Sequence, residues 1–183
     1  CIWQGGLSIY GALLGFLATS IVFLRKYGYN LWLWFDLMIP SILFGLIILQ
    51  LANFMMQFSL GTPLGLDIPN DHSLAEYVEY RYRPTGFEAY QYFQPVALYQ
   101  AFAYSIVFII SVLCLLINRK YKFLAEGTVF LFSVILMAII RFGIGFMYFS
   151  VNKDMLLYPM QWIALTVMIA TVFIYIVKRF QHN

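Results

Sequence analysis

Five continuous apolar runs of roughly twenty residues or more, parted by short polar or basic turns, constrain this chain more than any other feature. At about 1.5 Å of rise per residue, a helix of that length matches the ~30 Å hydrocarbon core of a bilayer. The runs fall at 7–24, 31–58, 95–116, 124–149 and 157–177. A membrane β-barrel would show alternating segments of about ten residues instead. Of the 183 residues, 63% are hydrophobic and only 10% are charged, against about 25% charged in a soluble domain. No soluble core hides that much apolar surface. The expected fold is therefore all-α: a polytopic helical membrane protein, with residues 1–183 forming one transmembrane domain of five spans.

The charges orient it. The turns after spans one, three and five carry Arg25, Lys26, Arg119, Lys120, Lys122, Lys178 and Arg179, most of the eleven basic residues. Basic turns face the cytoplasm, which puts the C-terminus inside and the start of the chain outside. The net charge of +3 is thus an orientation signal and implies no nucleic-acid partner. The stretch 59–93, between spans two and three, is the one long polar segment. It holds Asp67, Asp71, Glu76, Glu79 and Glu88, three prolines and a tyrosine-rich run. It is expected to form a small outward-facing loop or head at the membrane surface. Neither cysteine sits in a metal-binding or disulfide pattern; Cys114, inside an apolar run, is expected to be a packing residue. No internal repeat supports an inverted-repeat transporter, and a small transporter or channel subunit is correspondingly disfavoured.

Several polar residues lie where apolar ones are expected. Gln50, Asn53 and Gln57 recur at spacings of three and four, so on a continuing helix they share one face. Arg141 interrupts span four. An arginine near the bilayer centre costs about 2.5–3.5 kcal/mol on insertion scales. Two readings are open: a clamp for a lipid phosphate, which the guanidinium fork suits, or a buried pair with Asp36 or a snorkel to the surface. Asp36 itself either lies in the headgroup region or caps a broken helix. Pro40 is the expected kink of the long second span. Gly11 and Gly15 form a Gly-x-x-x-Gly pair of the kind that packs helices. Trp3-Gln4-Gly5-Gly6 with Tyr10, Gln94-Pro95 with Tyr99 and Gln100, and Pro159-Met160-Gln161-Trp162 all collect toward the outer side.

In this order, these segments resemble the prolipoprotein diacylglyceryl transferases. Trp3 to Gly15 follows that family's Trp-x-Gly-Gly segment, with Tyr10 where members carry His or Tyr. Asp36 and Pro40 match the Asp and Pro of the next helix. The stretch 49–61 aligns with the signature Gly-Arg-x-Gly-Asn-Phe-x-Asn and its trailing Gly, retaining Asn53 and Gly61. Residues 94–100 align with His-Pro-x-x-Leu-Tyr-Glu, Arg141-Phe142 with an Arg-Phe-like segment, and Gln161 with a late outward Gln. Neutral residues stand at several of the family's charged positions: Gln50 for Arg, Gln94 for His, Gln100 for Glu, and Gly145 and Tyr148 for a Glu and an Arg.

The resemblance implies transfer of a diacylglyceryl group from phosphatidylglycerol to the lipobox cysteine thiol of a prolipoprotein, in the bacterial inner membrane, without cofactor or metal. It implies Tyr10 and Arg141 as catalytic residues. Gln50, Asn53, Gly61, Gln94, Tyr99 and Gln161 would bind the lipid and the signal peptide. The alternative is a catalytically impaired relative that binds phospholipid or signal peptide without turnover. Family members have seven spans, so two would precede this chain.

Overall fold

The computed structural model describes residues 9–57, 59–65, 74–84, 86–122, 124–148 and 159–182, and the side chains of all of these except 9, 10, 12–14, 65, 159, 160, 179, 181 and 182. Five helices carry the fold: α1 (Ile9–Lys26), α2 (Leu31–Met55), α3 (Val96–Tyr121), α4 (Thr128–Ile144) and α5 (Pro159–His182). The stretches Leu31–Met55, Val96–Tyr121, Thr128–Met147 and Gln161–Lys178 are each long and apolar enough to cross a membrane. The chain is a polytopic helical membrane protein. α2 packs most extensively against α3, and α4 against α5 and α3, while α1 touches α2 lightly.

The centre of the bundle is apolar. Ile39, Leu43, Val107 and Val129 are buried together, with Cys114 packed against them. One polar contact crosses this region: Ser111 Oγ and Ser133 Oγ lie 2.8 Å apart between α3 and α4. Each hydroxyl has one proton and also sits 2.7–2.8 Å from its own helix's carbonyl four residues back. One serine therefore donates across and the other back, which leaves neither oxygen orphaned in a medium without water.

Charge and hydrogen bonding collect at the two ends. At the basic end, Asp36 resolves its two readings. Its carboxylate is buried and accepts from Gly127 N (2.5 Å) and Phe130 N (2.7 Å), so it caps the start of α4. Negative charge there complements the exposed N–H groups and the helix dipole. Arg141 lies fourteen residues past Gly127 on the same helix, about 21 Å away at helical rise; the Asp36–Arg141 pair does not form. Asn30 caps α2 by accepting from Trp32 N at 3.1 Å and also donates to Glu126. Lys178 Nζ lies 4.3 Å from the centre of the Trp32 ring, a cation–π contact that ties the end of α5 to the start of α2.

At the opposite end lies a three-stranded antiparallel sheet of order β1-β3-β2, formed by β1 (Pro63–Gly65), β2 (Glu76–Tyr77) and β3 (Tyr92–Phe93). Glu76 pairs with Phe93, and Tyr77 with Tyr92. The Arg83 side chain braces the segment by donating to Val78 O (3.0 Å) and Glu88 O (2.8 Å).

Two expectations need correction, and a third residue is placed more closely. α2 ends at Met55, not at residue 58, and Gln57 lies beyond it with φ of 52°. The shared face of Gln50, Asn53 and Gln57 therefore stops at Asn53. Gly11 and Gly15 do not pack a neighbouring helix among the described residues: nothing lies within 4 Å of where a Cβ would sit on either. Arg141 falls in the last turn of α4, six residues before the apolar span ends at Met147. Its placement near a helix C-terminus is favourable to a cation and lowers the cost inferred from the apolar run.

Candidate functional site

The second half of the 49–61 stretch leaves the helix and becomes the strap that ties the sheet to the bundle. Gln50, at the end of α2, is buried, and its Oε1 accepts from Asn53 Nδ2 at 3.3 Å. Gln57, freed from the helix, reaches the sheet instead. Its Nε2 donates to Tyr77 O (2.8 Å) and its Oε1 accepts from Glu79 N (3.3 Å), gripping the backbone of β2 and of the residues that follow it.

Gly61 is where three segments meet. Its N–H donates to Gln94 O at 3.1 Å, and it forms a β-bridge with Tyr148. The neighbouring Thr62 N donates to Met147 O (3.2 Å), and Thr62 O accepts from Gln94 N (3.1 Å). A Cβ on Gly61 would sit 2.5 Å from Val96 Cγ2 and 2.7 Å from both Gln94 Cβ and Gln94 O. Only glycine lets the backbone approach this closely. The contribution of Gly61 is thus close packing, and that of Gln94 is made through its main chain; the Gln94 side chain is half-buried.

The start of α3 supplies an enclosed polar cluster. Gln100 is 0% exposed. Its Nε2 donates to Tyr104 Oη at 2.8 Å, and its Oε1 accepts from Tyr148 Oη at 2.8 Å. Such a satisfied network fixes one geometry, because breaking any link strands a buried polar group. Tyr99 lies at its edge, half-buried, with its hydroxyl 3.4 Å from Leu74 O.

From the α4 side, Arg141 is half-buried, and its carbonyl accepts from the N–H of Gly145. The short 3-10 turn Gly145–Met147 then leads to Tyr148. Gly145 is buried, and a Cβ there would lie 2.6 Å from Gln161 Cγ. The Gln161 side chain, 0% exposed, therefore fills the space beside residue 145, with Nε2 3.4 Å from Phe142 O. Gln161 is in this way held next to the Arg141-Phe142 pair.

Of the residues expected to act together, the hydrogen bonds join Gly61, Gln94 and Gln100 directly, through Tyr148. Gln161 is joined to the same turn through Gly145. Gln50 and Asn53 pair with each other. Tyr10 falls in the first turn of α1 and its side chain lies outside the described residues, as do Trp3 to Ser8. The cavity of about 160 Å³ lined by Trp32, Phe173, Ile174, Val177 and Lys178 lies at the other end of the molecule and contains none of these residues. Sequence reasoning did not single out Tyr104 or Glu76. Tyr104 had a signal, since a tyrosine one turn after Gln100 is its natural helical partner.

A family model described as prolipoprotein diacylglyceryl transferase matches residues 1–177. The chain belongs to the prolipoprotein diacylglyceryl transferase family. It is 30% identical over 179 residues to a phosphatidylglycerol–prolipoprotein diacylglyceryl transferase of Geobacillus kaustophilus, covering 97% of this chain and 63% of that protein. It is 28% identical over 179 residues to the enzyme of that name from Lactobacillus acidophilus, covering 97% of this chain and 61% of the relative. With the Bacillus licheniformis protein of the same name it shares 34% identity over 134 residues, 73% of this chain and 46% of the relative. The chain thus spans about three-fifths of the length of the first two relatives.

Proposed function

We propose that the protein transfers the diacylglyceryl group of phosphatidylglycerol to the lipobox cysteine thiol of prolipoproteins. The names of the relatives support this reading. The observation that carries it is the joining of Gly61, 94–100, 145–148 and Gln161 at one end of the bundle, beside the three-stranded sheet. In this reading the bundle crosses the bacterial inner membrane five times, with about seven spans in the whole protein. The sheet and the rest of 59–93 face outward, and the basic turns and C-terminus face the cytoplasm.

The chemistry has three requirements. The thiol must lose its proton, because the thiolate is the nucleophile. The departing glycerol phosphate must be stabilised, because negative charge develops on it. Lipid and signal peptide must enter sideways from the bilayer. Arg141 holds the phosphate: it is permanently charged, and its fork of donors matches phosphate oxygens. Gln50 and Asn53 add neutral hydrogen bonds, about half as strong as charge-assisted ones. Gln94 and Tyr99 border the bound lipid and peptide, and the buried Gln161 holds the turn that follows Arg141. Gly61 lets their segments close on one another. Tyr10 orients the thiol.

The test is whether the whole protein restores lipoprotein lipidation in a bacterial host depleted of its own enzyme. Rescue by the wild type and a loss of at least about 100-fold in transfer for Arg141→Ala support the assignment. Good expression without rescue refutes it. Lipid or signal-peptide binding that Arg141→Ala weakens, with no transfer product, would identify a binding relative instead.

A further inference from the structure

We propose that the Glu76 carboxylate receives the proton of the acceptor thiol and so acts as the general base of the transfer, an inference that rests on the function proposed above. Along the segment that begins with β2, burial alternates. Glu76 and Val78 are buried, while Tyr77 and Glu79 are exposed. Glu76 is therefore turned into the molecule and is only 6% exposed. Its Oε2 has no hydrogen-bond donor among the described residues.

The position of Glu76 is well defined. It pairs across the sheet with Phe93, whose neighbour Gln94 makes the close contact with Gly61. The Gln57 clasp holds the backbone immediately after it, at Tyr77 O and Glu79 N. Two residues before it, Leu74 O faces the Tyr99 hydroxyl. The orphaned oxygen thus sits on a segment that contacts both the strap of 49–61 and the start of α3.

Among the described residues no charge accounts for the burial of this carboxylate. Glu79 on its own segment is exposed. Arg83 is committed to Val78 O and Glu88 O, with its guanidinium 5.9 Å and 5.6 Å from the centres of the Tyr77 and Tyr80 rings. Across the sheet Glu76 pairs with Phe93, next to Tyr92, and on α3 the Tyr99 hydroxyl faces Leu74 O, two residues before Glu76. Burial alone raises the carboxyl to about 7. A stranded acceptor is costly to a fold and calls for a reason, a catalytic role among them. An S–H group is a fitting donor. A base near 7 is matched to a thiol of ordinary pKa about 8.5, whereas a phenol near 10 is not.

The step balances without another reagent. The Glu76 carboxylate takes the thiol proton, and the sulfur forms a bond to the terminal glyceryl carbon of the diacylglyceryl group. The bond between that carbon and the phosphate oxygen breaks, and the electron pair leaves with the glycerol phosphate. The proton on Glu76 then passes to water.

Two measurements on the whole protein test this. In a Cys114→Ala background, Glu76→Cys should form a mixed disulfide with a lipobox-cysteine peptide under mild oxidation at least ten times faster than Glu79→Cys. In the wild-type background, Glu76→Gln should lower kcat by about 100-fold or more and erase the rise in rate near pH 7. It should leave the KM for phosphatidylglycerol unchanged, and Glu76→Asp should restore part of the rate. Full activity in Glu76→Gln with an unchanged pH profile, or equal cross-linking at positions 76 and 79, overturns the role of Glu76 alone. Capture of the peptide at position 76 by a protein that transfers no lipid overturns the proposed function and leaves Glu76 beside the thiol site. Neither capture nor transfer overturns both.

Discussion

Replacing Asp36 should separate stability from activity, because its two hydrogen bonds lie at the end of the bundle opposite the sheet. The carboxylate uses both oxygens, Oδ2 for Gly127 N and Oδ1 for Phe130 N. Asp36→Ala removes both acceptors and leaves two N–H groups without them. A stranded buried donor costs about 1–3 kcal/mol, and loss of an N-cap alone about 0.5–2 kcal/mol. We therefore expect a total near 3 kcal/mol. At about 1.4 kcal/mol per tenfold, that is a rise of roughly 150-fold in the unfolding equilibrium constant. Asp36→Asn keeps one acceptor but turns an amide N–H₂ toward the second donor, so it should lose about half as much. The assay is equilibrium unfolding of detergent-solubilised protein, with lipid transfer measured on the folded fraction. The reasoning fails if Asp36→Ala unfolds within 0.5 kcal/mol of wild type, a margin typical of uncritical surface changes. It fails equally if Asp36→Asn is as damaging as Asp36→Ala.

Three further outcomes follow from particular contacts. Gly61→Ala should destabilise by about 1–3 kcal/mol through overpacking, because its Cβ would lie 2.5–2.7 Å from Val96 and Gln94; Gly45→Ala, with nothing within 4 Å, should be close to neutral in the same unfolding assay. Tyr148→Phe removes the donor to Gln100 Oε1 and should cost about 1–3 kcal/mol; adding Gln100→Leu to Tyr148→Phe should recover part of that loss. Glu76 titrates at about 7 in the fold, above its ordinary 4.5. Between those values the folded state binds more protons, so stability falls as pH rises. The contribution is fully present below about 4.5 and lost once pH passes about 7. Its ceiling is about 3 kcal/mol at 1.36 kcal/mol per unit, less whatever solvent screening removes. Unfolding midpoints taken between pH 5 and pH 8 should decline for wild type and stay level for Glu76→Gln.

Membership of a bilayer was decided by the amino-acid sequence alone. Continuous apolar runs can satisfy their backbone only as helices in lipid, so the number of helices and the basic turns could be read without coordinates. The ordered motif segments were equally legible, because residue type and order survive where geometry is invisible. The partners of these residues were not. A spacing of three and four put Gln57 on a face with Gln50 and Asn53, but that inference holds only while the helix continues. The helix ends at Met55, and Gln57 grips a strand twenty residues away.

Asp36 could be read two ways from its position, since a cap depends on which helix start comes within hydrogen-bonding distance. That start turned out to lie 91 residues on, at Gly127. The apolar neighbours of Arg141 do not reveal that it lies in the last turn of α4, where a 3-10 turn takes over at Gly145. The Gln100–Tyr148 bond and the orphaned oxygen of Glu76 were decided only by tertiary structure. Composition specifies the solvent a chain must live in. The pairing and isolation of polar groups depend on packing between segments distant in sequence.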